Sequence, residues 1–354
     1  MSERPVSAED VAAAVRGHSQ VCAVGGGTKR PLVGAGVPIE LSALSGITEY
    51  EASEYTFTAM AGTPVGEVED ALRAKGQYLP FDPLFVEAGA TLGGTVASGL
   101  SGPGRFRYGG IRDFLIGVQF VDGRGQLVRS GGKVVKNAAG FDLPKFMVGS
   151  LGRFGIMTEL SFKVFPAPVG SVTLKVACPD SAEAMERLAE ISSSRWEADA
   201  LDYQGGEGAL FLRLGGPRKA LDLLSQEIGN RWPGEVTRLE NGAIWTDVKE
   251  ARWGAGTHLA KVPVTPSRIV DLEEGLASLE GVQSWYSSGG AVAWLSFDGS
   301  DREALDRRLT DCGLAGLTVR GEGGGSPWLG QSEPRKILGA VKIALDPEGK
   351  FPAT

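Results

Sequence analysis

The stretch VCAVGGGTKR, residues 21–30, sets three glycines in a row between an apolar run and Thr28-Lys29-Arg30. Consecutive glycines expose successive backbone N–H groups that can curl around an anion. A phosphate suits such a loop. A flexible loop that binds nothing uses the same letters, so this stretch alone leaves both readings open. Glycine is over-used in the whole chain, 52 of 354 residues. It clusters at 25–36, 89–110, 117–155 and 321–325, between apolar segments rather than in a repeat or a linker. The glycines therefore read as positional demands.

Bulk properties exclude several classes of function. With 42% hydrophobic and 22% charged residues, the chain reads as a soluble globular protein long enough for two domains. A net charge of −7 argues against nucleic-acid binding. Cys22, Cys178 and Cys312 stand apart with no CxxC, which excludes an intrinsic four-cysteine iron–sulfur or zinc site and points to a reducing compartment. With only His18 and His258, a multi-histidine metal site is excluded too. The polar start MSERPVSAEDVAAAVRG does not read as a signal peptide, and no apolar run is long enough to span a membrane. The expectation is a cytoplasmic protein with no integral membrane segment, any association with the inner membrane being made through partners.

Patterning predicts the elements. Ser7 caps a first helix, with Asp10 three residues on and Val11, Ala14 and Val15 on one face. QVCAV is a strand, IELSAL a second and TFTAMAG a third; Thr63-Pro64 opens a helix with Val65, Val68 and Leu72 on one stripe. FLIGVQFVDGRGQLVRSGG is a hairpin turning at Asp122-Gly123-Arg124-Gly125. The strand GIMTELSFKVFPAP is terminated by Pro166 and Pro168, which sets the domain boundary. Beyond it the order strand, helix, strand, strand, helix, strand occurs twice, in 171–239 and 258–320. This is a duplicated βαββαβ unit, predicting one antiparallel sheet with helices on one face and a bare face to be covered by the N-terminal domain.

Two further glycine stretches lie in the first domain: GATLGGTVASGLSGPGRFRYGG at 89–110 and GSLGRFGIMTE at 149–159, the latter preceded by GGKVVKNAAGFDLPKF at 131–146. Together with Thr28, Thr91, Thr95, Ser98 and Ser101 they suggest a long phosphate-containing ligand cradled mostly by backbone. The familiar nucleotide motifs fail. Thr28 and Lys29 come in the wrong order for a P-loop, and GGGTKR opens no helix followed by the acidic residue of a Rossmann fingerprint.

AVGGGTKR, ATLGGTVASGLSGP, VDGRGQ, KVVKNAAGFD and GSLGRFGIMTELSFKVFP, in that order over roughly residues 20–170, resemble the vanillyl-alcohol oxidase (PCMH-type) FAD-binding family, and within it the FAD-binding subunits of bacterial glycolate oxidases. LDPEGKF at 345–351 is similar to the family's C-terminal return to the flavin domain. The resemblance implies an α+β protein: a PCMH-type FAD-binding domain of two α/β subdomains at 1–168, a duplicated βαββαβ cap at 169–330, and a return segment at 331–354. It implies that Gly25, Gly26, Gly27 and Thr28 form a pyrophosphate loop. Thr91, Gly93, Gly94, Thr95, Ser98 and Gly99 would form a second wall; Asn137, Gly140, Gly152, Gly155 and Ile156 would line the length toward adenine.

The resemblance also implies a function: oxidation of glycolate or a similar 2-hydroxy acid to the 2-oxo acid. Electrons would pass through a homologous, catalytically equipped flavoprotein subunit and an iron–sulfur subunit. Departures matter here. His18 and Cys22 sit in no tethering motif, so non-covalent FAD is expected. The family's histidine-rich metal motif is missing, and so is the C-terminal asparagine turn, since the chain reads Phe351-Pro352-Ala353-Thr354. A docking subunit without turnover and a self-sufficient oxidoreductase are the rival readings. Lys261, Arg252 and Arg268 are the cap cations to examine for a substrate carboxylate, against the alternative of solvated surface charge. Tyr108 and Tyr286 remain as bases. Arg105, Arg107 and Arg112 either reach the pyrophosphate or form a docking surface. Trp245, Trp253, Trp285, Trp294 and Trp328 are core unless a subset is exposed at an interface.

Overall fold

A computed structural model describes residues 2–132, 142–323, 325–331 and 336–353. The chain divides into two compact units, Met1–Ser101 with Gly110–Ala167 and Glu333–Thr354, and Gly102–Gly109 with Pro168–Ser332.

In the first unit, helix α1 (Ala8–Gly17) starts at the predicted capping box, with Ser7 and Asp10 bonding reciprocally. Strands β1 (Val21–Val24) and β2 (Val37–Glu40) pair in parallel, Val21 opposite Val37. The strand expected over IELSAL stops at Glu40, and Leu41–Ala43 form a 3-10 turn. A strand not expected, β3 (Ile47–Glu51), precedes β4 (Thr56–Met60). Helix α2 (Val65–Arg73) buries Val65, Val68 and Leu72. Then come β5 (Gln77–Tyr78) and α3 (Leu92–Ser98), a helix the glycine-rich letters conceal. The one-turn helix α4 (Arg105–Tyr108) belongs to the second unit. The hairpin β6 (Leu115–Val121) and β7 (Leu127–Gly131) turns at Asp122, whose carboxylate accepts from Arg124 N and Gln126 N. Helix α5 (Leu143–Met147), β8 (Ile156–Lys163) and β9 (Phe165–Pro166) complete this part. The main sheet is antiparallel, ordered β3-β4-β8-β6-β7. Val11, Val15, Val21, Ile39, Val121, Ile156 and Phe351 share one core cluster.

The second unit contains β10 (Ser171–Ala177), α6 (Ser181–Ser193), β11 (Ala200–Gln204), β12 (Ala209–Gly215), α7 (Arg218–Arg231) and β13 (Val236–Leu239). After α8 (Ala243–Lys249) the same order returns as β14 (His258–Pro263), α9 (Ile269–Leu276), β15 (Gln283–Ser287), β16 (Val292–Phe297), α10 (Arg302–Asp311) and β17 (Ala315–Arg320), with β18 (Trp328–Gly330) added at the edge. The sheet order β13-β10-β12-β11-β15-β16-β14-β17-β18 sets the repeats head to head, joined where Tyr203 of β11 lies opposite Tyr286 of β15. Alternation sends Leu174, Leu212, Tyr203, Tyr286, Leu295 and Val262 to the helical face, where they pack in one core cluster. The opposite face is not bare. Helix α8, absent from the sequence reading, lies on it, with Trp245 Nε1 donating to Thr173 Oγ1 at 2.8 Å and Arg213 stacked over the Trp245 ring. Trp253 and Phe211 pack on Trp285 on the same side. Helix α11 (Lys336–Leu345) returns to the first unit.

No helix among the described residues is long and apolar enough to cross a membrane.

Candidate cofactor-binding site

The glycine stretches around Gly26, Gly93 and Gly152 converge on one cleft in the first unit. Its first wall runs from Ala23 to Lys29 and adds Leu32 and Val33. The second is Thr91, Gly93, Gly94, Ala97 and Ser98. The third is Leu151, Gly152, Gly155 and Met157.

The first wall supplies a run of hydrogen-bond donors. Strand β1, pinned to β2, aims the chain out at Val24 into the loop. A Cβ on Gly26 would overlap the carbonyl of Gly89, so glycine is required because two backbones touch there. Gly27 has a φ of 68°, the left-handed turn that curls the loop back. Among the described residues, the N–H groups of Gly26, Gly27 and Thr28 donate to no protein acceptor. Three successive free donors on a concave turn form a site for an anion. Lys29 adds positive charge: it is 8% exposed, its Nζ lies 3.1 Å from Thr28 Oγ1 and 5.3 Å from the Phe85 ring centre.

Helix α3 in the second wall has spent its first donors. Gly93 N donates to Ala61 O at 2.7 Å, Gly94 N to Thr91 Oγ1 at 3.3 Å, and Thr95 N to Thr91 O at 2.9 Å. The hydroxyls of Thr95 and Ser98 donate to carbonyls of α3 itself. The helical part of this wall presents close-packed surface rather than free N–H groups.

Of the residues singled out in sequence, Gly25, Gly26, Gly27, Thr28, Thr91, Gly93, Gly94, Ser98, Gly152 and Gly155 line the cleft. Thr95, Gly99 and Ile156 do not. Thr95 is a buried residue of α3, Gly99 is its left-handed C-cap, and Ile156 is core. Asn137 and Gly140 lie outside the described residues. Sequence reasoning missed Leu32, Val33, Leu41, Leu151 and Met157, because an apolar lining residue and an apolar core residue carry the same letter. His18 and Cys22 do not line the cleft. His18 caps α1 with Nε2 3.0 Å from Glu3 Oε1, and burial raises the Cys22 thiol above its ordinary range. No group of three His, Cys, Asp or Glu residues among those described could hold a metal.

The arginine cluster divides. Arg105 and Arg107 sit in the second unit, where Arg107 donates to Glu197 O at 2.6 Å and Oε2 at 2.9 Å; Arg112 stays in the first unit. Two of the three cap cations are engaged: Arg268 donates to Cys312 O at 2.7 Å, and Arg252 lies 3.9 Å from Asp247. The ammonium of Lys261, on β14 between Trp294 and Leu317, makes no hydrogen bond or ion pair with a described residue. Burial, with the charge of Arg105, pushes its ammonium down to about 8. The tyrosines are occupied, Tyr108 donating to Asp199 at 2.8 Å and Tyr286 to Glu273 at 2.6 Å. Asp202, unmarked in the sequence reading, is fully buried and accepts from Trp285 Nε1, Ser287 Oγ and Ser288 N; burial pushes it up to about 7. None of the five tryptophans is exposed, as core packing predicts.

Residues 3–131 match the family model described as FAD binding domain. Glycolate oxidase subunit GlcE of Escherichia coli is 33% identical over 91% of this chain and 87% of its own length. Glycolate oxidase subunit GlcD of Bacillus subtilis is 31% identical over 44% of this chain and 33% of its own length. D-2-hydroxyglutarate dehydrogenase of Xanthomonas citri pv. viticola is 31% identical over 49% of this chain and 39% of its own. Among solved structures, alkyldihydroxyacetonephosphate synthase superposes with a TM-score of 0.75 at 17% identity, over 99% of this chain and 76% of its own, a likeness of fold. By its near full-length similarity to GlcE and its matching FAD-binding domain, the chain belongs to the GlcE family of PCMH-type FAD-binding proteins.

Proposed function

We propose that this chain is the FAD-binding subunit of a glycolate oxidase-like complex that oxidises glycolate or a similar 2-hydroxy acid to the 2-oxo acid. The near full-length similarity to GlcE carries the reading. The free N–H groups of Gly26, Gly27 and Thr28 fit it, since a diphosphate is satisfied by such donors. In this reading those groups, with Lys29, hold the diphosphate of FAD, and the walls at 91–98 and 151–157 confine the rest. FAD is held without a covalent bond, because neither His18 nor Cys22 lines the cleft. Heat or acid denaturation is expected to release all flavin from the polypeptide; flavin retained on the chain overturns that.

When bound, FAD supplies the two-electron acceptor for the oxidation. Lys261 is the residue we assign to the substrate carboxylate, as a half-buried cation with no acidic partner among the described residues. No base for the hydroxyl proton is assigned: the Tyr108 and Tyr286 hydroxyls already donate to carboxylates. A positioned base is worth about 10²–10⁴ in rate. The isolated chain is therefore expected to turn over negligibly, acting with a homologous flavoprotein subunit and an iron–sulfur subunit.

Anaerobic stopped-flow mixing of the FAD-loaded chain with glycolate or D-lactate tests this. Slow or absent bleaching, with activity restored by the partner subunits, is the expected result. Rapid saturable bleaching by the chain alone would promote the self-sufficient oxidoreductase. Absence of activity even with partners would leave the docking role.

A further inference from the structure

The C-terminal segment touches two of the three cleft walls, and one lysine organises it. Lys342 Nζ donates to Arg153 O at 2.7 Å, Phe351 O at 2.9 Å and Pro352 O at 3.2 Å, and pairs with Asp346 Oδ2 at 2.6 Å. Arg153 lies between Gly152 and Gly155 of the third wall. The ammonium thus ties that wall directly to the chain's last residues.

Those residues in turn hold the first wall. Lys350 O accepts from Val21 N at 2.8 Å, at the start of the strand that delivers the glycine loop. Lys350 Nζ donates to His18 O at 2.8 Å just upstream. Pro352 packs on Gly34 so closely that a Cβ there would overlap its ring, and Gly34 follows the lining residue Val33. The geometry is kept by Asp346, whose side chain is wholly buried and accepts from Lys350 N at 2.7 Å and Phe351 N at 2.9 Å. Phe351 is anchored in the first-unit core.

We infer that Lys342 is a positioning residue for the cofactor: it closes a C-terminal clasp that locks the glycine-loop wall to the 151–155 wall and thereby sets how fast FAD leaves. The clasp makes no new contact with FAD. It holds two walls at the separation that the ligand needs, so its loss acts on the dissociation rate. The inference rests on the reading that this cleft holds FAD.

The test is FAD dissociation from the full-length chain, followed by flavin fluorescence after dilution, with the melting temperature of the apoprotein measured alongside. Lys342→Met should speed release by about tenfold. Lys342→Arg, which keeps a cation with several donors, should recover most of that. Pro352→Gly removes the ring contact on Gly34 and frees the backbone there, and is mild enough to fold if Lys342→Met is not; it should speed release by about threefold. A melting temperature lowered in Lys342→Met with release unchanged marks a purely structural lysine and overturns the clasp, as does wild-type release in a folded Pro352→Gly. A wild-type chain that takes up no FAD at all fails the cofactor reading itself, which separates the two claims.

Discussion

Gly26-Gly27-Thr28 and Gly93-Gly94-Thr95 are the same tripeptide, both line the same cleft along all or part of their length, and they act differently. In the first, three N–H groups donate to no acceptor among the described residues. In the second, Gly93, Gly94 and Thr95 have each bonded to protein. The residues just before decide. Thr91 sits at φ −100°, ψ 157° with its hydroxyl toward Gly94 N, the geometry of an N-cap, and that starts a helix. Before Gly26 stands another glycine at the end of a strand, with nothing to cap and no helix to begin. A glycine motif is therefore read by what consumes its N–H groups.

The largest expected effect breaks the first copy. Gly26→Val places a branched side chain on the Gly89 carbonyl, so the loop must move away from residues 89–91. FAD affinity should fall by about a hundredfold, the scale of a strained overpacked contact. The obstacle is this contact and not a left-handed backbone, since Gly26 is absent from the positive-φ glycines. A fluorescence titration with unchanged affinity would show that the first wall does not hold the diphosphate.

A smaller effect is expected at Gly27, where a Cβ meets nothing but the backbone sits at φ 68°. Gly27→Ala costs about 1–2 kcal/mol in that conformation, so affinity should fall roughly tenfold. Equal losses at Gly26 and Gly27 would mean that loop shape alone matters, and that the packing on Gly89 adds nothing.

These particulars show what the sequence makes legible. The capping box of α1, the Asp122 turn and the twice-repeated element order of the second unit are local patterns, and each can be read directly from letters. Helix α3 is hidden because glycine is a poor helix former; here it is retained by tertiary contact, Gly93 N reaching Ala61 O. The overlap that fixes Gly26 comes from Gly89, distant in sequence, so no window around residues 21–30 contains it. Lys261 stood among three equivalent cations until the partners of Arg252 and Arg268 set it apart.

The smallest effect sharpens the comparison from the other side. Thr91→Val keeps the shape of the side chain and removes the oxygen that accepts from Gly94 N. Losing an N-cap costs about 1 kcal/mol, which in a unit of this size lowers the melting temperature by about 2–4 °C. FAD affinity should change less than about twofold, a fraction of 1.4 kcal/mol. The reason is that Thr91 serves α3, whose donors are already engaged, while the run of glycine-loop donors lies on the other wall. Thermal melts of the apoprotein and FAD titrations on one preparation give both numbers. A Thr91→Val variant that melts normally and binds FAD tenfold more weakly would place the hydroxyl on the ligand. The two tripeptides would then share one role after all, and the difference drawn from their N–H groups would fall.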